Sequence, residues 1–175
     1  MAGSLVLLES ETASNSASVT LGTTTWDNSY NVYMVTLESV TPATDADYLR
    51  MRFTKTTDNS VDDSLNYDRA AIELRADTTF NDSAQTNQDA FNFIENGTGT
   101  SETHNSIMYL FNFNNASEYN FITVEGVGFG YDGTDLMGAM GGGVHTVGQI
   151  AKGLQFSLTT DSISKVYIDL YGLKK

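Results

Sequence analysis

Tyr48-Leu49-Arg50-Met51-Arg52-Phe53-Thr54-Lys55 is the stretch that decides the fold class. Leu49, Met51 and Phe53 point one way, and Arg50, Arg52 and Thr54 the other. Strict alternation marks a half-buried antiparallel strand, because successive side chains leave a pleated backbone on opposite faces. Residues 31–40 repeat the pattern, with Tyr33, Val35 and Leu37 on one face. Residues 107–114 set Ile107, Tyr109, Phe111 and Phe113 on one side, and residues 119–125, 153–159 and 165–172 alternate too. The weaker runs 5–11, 18–21 and 90–94 bring the count to about nine strands.

Turn-forming clusters separate them: Thr24-Thr25-Trp26-Asp27-Asn28, Thr57-Asp58-Asn59-Ser60, Glu95-Asn96-Gly97-Thr98-Gly99 and Tyr131-Asp132-Gly133-Thr134. These residues tolerate positive φ or hydrogen-bond their own backbone. The only proline, Pro42, lies between strands, where its missing N–H costs no ladder bond. Residues 68–75 read equally as a short helix or a strand, and the polar residues 77–89 read as a long loop. Many short strands without a reliable helix predict an all-β chain, an antiparallel β-sandwich that is jelly-roll-like. An up-and-down barrel is the competitor, and periodicity does not separate the two.

Composition narrows the function. A chain of 175 residues with 40 % apolar content fits one domain, residues 1–175, with a full-sized core. No apolar run approaches the roughly 18 residues that span a bilayer. Met1-Ala2-Gly3-Ser4 lacks a basic n-region and Leu5 to Leu8 is too short for an h-region, so no signal peptide is expected. The absence of cysteine excludes disulfides, thiolate zinc sites and cysteine nucleophiles. A formal charge of −13 repels phosphate backbones and anionic lipid, so neither nucleic acid nor membrane is an expected partner.

Candidate chemistry is thin. The two histidines, His104 and His145, read as exposed loop residues, and no Gly-x-Ser-x-Gly elbow accompanies them. Asp58, Asp62, Asp63, Asp132 and Asp135 offer oxygen ligands, yet their spacing is not that of a Ca²⁺ loop, and turn formation explains them without an ion. With 22 acidic residues, some pair falls at a glycosidase separation by chance. Gly138-Ala139-Met140-Gly141-Gly142-Gly143 lacks the Gly-Lys-Ser/Thr ending of a phosphate loop and reads as a flexible turn. No cofactor, no metal and no catalytic residue are therefore expected. Tyr109, Phe111, Phe113, Tyr119 and Phe121 alternate within strands, which favours core over a sugar platform. Trp26, in a polar turn, is the more plausible exposed aromatic, and Trp26, Tyr119 and Phe121 are the candidate partner contacts.

Several segments together resemble a β-sandwich module of tailed-phage virion proteins, found in capsid decoration, appendages and the distal domains of tail fibres. That module opens on a Leu-Ile-Glu-Thr-x-Thr-Ala-Ser pattern, and Val6-Leu7-Leu8-Glu9-Ser10-Glu11-Thr12-Ala13-Ser14 is similar to it. Its Tyr-Asp-x-Tyr strand and Val-x-Pro-Ala-Thr-Asp turn compare with Tyr30-Asn31-Val32-Tyr33 and Val40-Thr41-Pro42-Ala43-Thr44-Asp45. Its Leu-x-x-Arg strand falls where Leu49 to Phe53 stands, and its Gly-rich turn and Ile-x-Phe strand compare with Gly141-Gly142-Gly143 and Leu154-Gln155-Phe156. Its closing Leu-Tyr-Gly-Ile-Lys resembles Leu170-Tyr171-Gly172-Leu173-Lys174. The order is kept from end to end, and residues 56–105 depart most.

The resemblance implies a non-enzymatic virion structural protein, made in the host cytoplasm, with other capsid or tail proteins as partners. With both ends reading as strands, no anchor is expected, so a defined position on a particle calls for multiple contacts, and a homo-oligomer, a trimer by preference, is expected. At this charge its contact must be apolar or bridged by cations, which directs attention to residues 107–114 and 119–124. The alternative is a receptor- or host-glycan-binding tip docked on a separate fibre protein, and a small depolymerase comes third.

Overall fold

The alternating stretch forms a strand, β4 (Asp47–Lys55), and its apolar phase, Leu49, Met51 and Phe53, is wholly buried. Around it, in a computed structural model that describes residues 4–22, 26, 29–77 and 79–174, run eleven further strands. They are β1 (Ser4–Ser16), β2 (Ser18–Leu21), β3 (Val32–Pro42), β5 (Tyr67–Arg75), β6 (Phe80–Gln88) and β7 (Phe91–Asn96), then β8 (His104–Phe111), β9 (Asn120–Phe129), β10 (Leu136–His145), β11 (Ala151–Leu158) and β12 (Ile163–Lys174). No helix occurs among the described residues.

All neighbours are antiparallel, in two sheets of order β1-β12-β3-β8-β9-β10-β5-β6 and β2-β11-β4-β7. The nesting reveals the architecture. β1 pairs with β12, β2 with β11, β3 with β8 and β4 with β7, as in one long hairpin rolled so that successive strands alternate between sheets. That is a jelly roll. Two inserted hairpins, β5–β6 and β9–β10, extend the larger sheet beyond β8.

The core lies between the sheets. Phe53 meets Phe113 edge-on at a centroid distance of 4.8 Å, with Tyr67 at 5.6 Å and Phe91 at 5.8 Å. Burying each such ring contributes about 1.5–3 kcal/mol. The Tyr67 hydroxyl donates to the Asp62 carbonyl (2.7 Å) and accepts from the Phe53 N–H (3.1 Å), so its polar tip is satisfied within the core. Asp47 closes the β11–β12 turn. Its carboxylate accepts the N–H groups of Thr159 (3.0 Å), Thr160 (3.2 Å) and Asp161 (3.1 Å) and the hydroxyls of both threonines. Burial alone would raise its pKa, but these bonds outweigh burial and hold it below the ordinary range.

The structure corrects four expectations. Twelve strands stand where about nine were expected, because residues 68–75 form β5, the presumed loop 77–89 contains β6, and Leu136–His145 form β10. β6 is an edge strand whose sequence, apart from Phe80 and Ala84, is polar on both faces, so no alternation betrays it. The presumed glycine turn 138–143 lies inside β10. A Cβ on Gly141 would stand 2.4 Å from the Ala70 carbonyl oxygen, so glycine there serves close strand packing rather than a bend. His104 and His145 are not loop residues: both are buried, at the start of β8 and the end of β10. The turn expected at residues 24–28 lies, apart from Trp26, outside the described residues.

Candidate docking surface

The fourth correction concerns the outward face of the larger sheet. Ile107, Tyr109 and Phe111 share a face as expected, but that face of β8 points outward, while Ser106, Met108 and Leu110 point into the core. Both phases of this strand are rich in apolar residues, so periodicity defines two faces without telling which is inside. Phe113 alone of the set is buried, because Asn112 takes a positive φ of 65° and flips the alternation after the strand ends. β9 continues the outward apolar phase with Phe121, Val127 and Phe129.

Register then assembles these side chains into rows across the larger sheet. One row runs Val32–Phe111–Phe121–Val144 and the next Met34–Tyr109–Thr123–Gly142. A third runs Thr36–Ile107–Glu125–Met140–Ile72, and a fourth Asn105–Val127–Gly138–Leu74–Phe80. Exposure is high where water would be least welcome: Ile107 44 %, Phe121 44 %, Met140 46 %, Val127 50 %. Apolar residues scattered singly over a surface mean little, whereas a contiguous patch marks an interaction site.

The face is also uneven. A hollow of about 480 Å³ lies between Thr36, Glu38, Asn105, Ile107, Glu125 and Val127. Another of about 430 Å³ lies between Ile107, Tyr109, Thr123, Glu125 and Met140. The Ile107–Glu125 cross-strand pair forms the ridge between them. Neither Glu38 nor Glu125 has an ion-pair partner among the described residues.

Of the three expected contact residues, two belong to this surface. Phe121 sits in β9 opposite Phe111, and Tyr119, 48 % exposed, stands just ahead of that strand. Trp26 does not join them. Its ring stacks on Tyr33 at 4.4 Å and tilts against Phe113 at 5.5 Å, so it is a half-buried lid on the core rather than an exposed aromatic. Val127, Phe129, Leu136 and Met140 escaped sequence reasoning. The glycines of β10 read as a turn, and the strand expected over residues 119–125 stops short of Gly126 and Gly128, although the apolar alternation continues through them.

The buried titratable groups around His145 are not ordered as a Ser–His–Asp relay. His145 Nε2 lies 3.5 Å from Asp62 Oδ2, and the Asp62 carboxylate also accepts from Gln149 (2.7 Å) and from the Ser64 hydroxyl (2.6 Å). The order is Ser–Asp–His, with the carboxylate between hydroxyl and imidazole, so the imidazole has no hydroxyl proton to take. Both of its nitrogens lack a hydrogen-bond partner, and Phe53 and Tyr67 pack against the ring. Burial lowers the pKa of His145, partly opposed by the Asp62 charge, and pushes His104 down to about 4. A cavity beside His104, lined by Arg69, Glu73, Ser83 and Phe93, has about 20 Å³ of room, enough for a single water. In the acidic turns, Asp58, Asp62 and Asp132 accept backbone N–H groups two residues ahead, from Ser60, Ser64 and Thr134.

The smaller sheet presents a different outer face. Its rows Thr20–Gln155–Arg52 and Ser18–Ser157–Arg50–Asn92 are polar throughout. No family model matches the chain, and no curated protein matches it.

Proposed function

We propose that this chain is a non-enzymatic structural protein of a tailed-phage particle, decorating the capsid or forming part of a head or tail appendage. The observation that carries the reading is the apolar outer face of the larger sheet. Such a face is costly to leave in water, and covering it with another protein removes that cost. The end-to-end resemblance to the phage module supplies the setting. A homo-oligomer, three copies by preference, belongs to the same proposal, because several weak contacts held together give a particle protein its occupancy. Labelling intact virions with an antibody against the chain tests the setting, and a particle free of label would remove it.

One observation favours the second reading, a receptor- or glycan-binding tip. Tyr109, Tyr119 and Phe121 are exposed rather than buried, and aromatic faces accept the apolar faces of sugars. A glycan array separates the two readings, since a decoration protein gives no sugar-dependent signal.

A further inference from the structure

We infer that the surface covering the larger sheet belongs to a different protein, one that sets Lys or Arg side chains between apolar ones. This deepens the docking reading above and rests on it. The apolar part of the argument is the ridge and hollows around Ile107, Val127 and Met140. The electrostatic part narrows the occupant. Glu38, Glu125, Asp82 and Asp169 occupy outward positions on this face, and Lys165 is its only cation among the described residues. Glu38 and Glu125 line the same 480 Å³ hollow, with Ile107 and Val127 as its apolar walls. A covering surface that excluded water there without bringing a cation would strand two carboxylates.

A second copy does not meet that need. Laid face to face, it would bring the same unpaired carboxylates against these, and like charges brought together across an interface are repulsive. Its one cation on this face, Lys165, already lies over the Tyr167 ring at 5.0 Å, and its arginines are occupied as well. Arg50 and Arg52 clamp Asp89, Arg75 faces Glu73 and Asp135, and the half-buried Arg69 donates to the Ser83 hydroxyl. The proposed homo-oligomer then closes elsewhere on the subunit, and this face remains for the hetero-partner. A lysine or arginine entering the hollow meets two carboxylates at its tip and apolar walls along its stem, the geometry that long cationic side chains favour.

The test uses the full chain and three helical peptides that differ on one face, carrying Leu with Lys, Leu with Glu, or Ser with Lys. Binding is followed by the amide shifts of the isotope-labelled protein. The Leu–Lys peptide should shift β3, β8 and β9 and bind at least ~10-fold more tightly than either control. Glu38→Gln combined with Glu125→Gln should weaken it by about 10-fold while the thermal midpoint holds, since both side chains are exposed. Equal binding of the Ser–Lys peptide would overturn the inference, because net charge alone would then explain it. So would unchanged affinity of the double variant, or no binding by the wild type up to about 1 mM. A wild-type oligomer that Ile107→Ser converts to a folded monomer would also overturn it, by showing a second copy on this face. Virion labelling is independent of all these outcomes. Peptide binding with label-free particles would leave this inference standing and remove only the phage setting.

Discussion

The outer faces of the two sheets are built by the same pleat from the same chain, yet one is written for water and the other is not. On the smaller sheet, Thr20, Gln155 and Arg52 line one row, and Arg50 and Arg52 reach over to Asp89. On the larger sheet, Ile107, Phe121, Val127 and Met140 stand in the corresponding outward positions. Both faces cover one core, so stability does not explain the contrast. Leu49, Met51 and Phe53 on one side and Met108, Leu110 and Ile122 on the other are buried alike. What differs is the outward phase alone, and that phase has no folding duty. Its chemistry therefore reports on what the molecule touches.

The largest expected effect lies beneath both faces. Phe53→Ala should cost about 3–5 kcal/mol in urea unfolding, because it leaves a void among Tyr67, Phe91 and Phe113. A loss under about 1 kcal/mol would mean that the two sheets do not share this core.

Acid should come next, and it should act on the larger sheet first. His104 is buried neutral, its pKa moved from 6.5 to about 4, chiefly by desolvation. The unfolded chain takes up a proton as pH falls through 6.5 while the native state does not, so stability declines from there down to about pH 4. The total loss from this group is about 3 kcal/mol. His145, also lowered, acts in the same direction, and the lowered carboxyls of Asp47, Asp62 and Asp89 add a further loss below 3.8. Protection against amide exchange, taken relative to the intrinsic rate at each pH, should fall at pH 5 in β8 and β10 before β4 and β11. A uniform fall in protection, or none between pH 7 and pH 5, would contradict the placement of the two histidines.

Smaller effects separate the faces themselves. Arg52→Ala should cost about 1–2 kcal/mol, since it removes the bonds to the Asp89 carboxylate and carbonyl from a partly buried site. Ile107→Ser should change stability by no more than about 0.5 kcal/mol, because the side chain makes its contacts outside the core. Equal destabilisation by the two in a thermal melt would erase the distinction between a finished surface and one awaiting a partner.

Much of the inner architecture could be read from the chain. The inward phase of β4 is single-valued, because Leu49, Met51 and Phe53 alternate with arginines, and in β3 the buried Tyr33, Val35 and Leu37 alternate with Val32, Met34 and Thr36, a less sharp contrast. β8 was ambiguous because Met108 and Leu110 compete with Ile107, Tyr109 and Phe111, and only tertiary packing chooses between them. β6 and β10 are hidden for opposite reasons, one being polar apart from Phe80 and Ala84 and the other interrupted by glycine. The outward face is legible only in part. Charge directs attention to residues 107–114 and 119–124, which include Tyr119 and Phe121, but periodicity reads the apolar stripe of β8 as core, and its extension through Val127 and Met140 lies beyond those segments.

Incorporation into assembled particles tests the central claim most directly. Particles assembled from chains carrying Ile107→Ser with Phe121→Ser on the larger sheet are compared with particles carrying Gln155→Ala with Ser157→Ala on the smaller. The pairs are matched for retained folding by circular dichroism, and bound chain is quantified on purified virions. The account predicts loss of the first pair from the particle and wild-type occupancy for the second. Equal occupancy by both pairs would mean that the apolar face of the larger sheet is not where this protein docks.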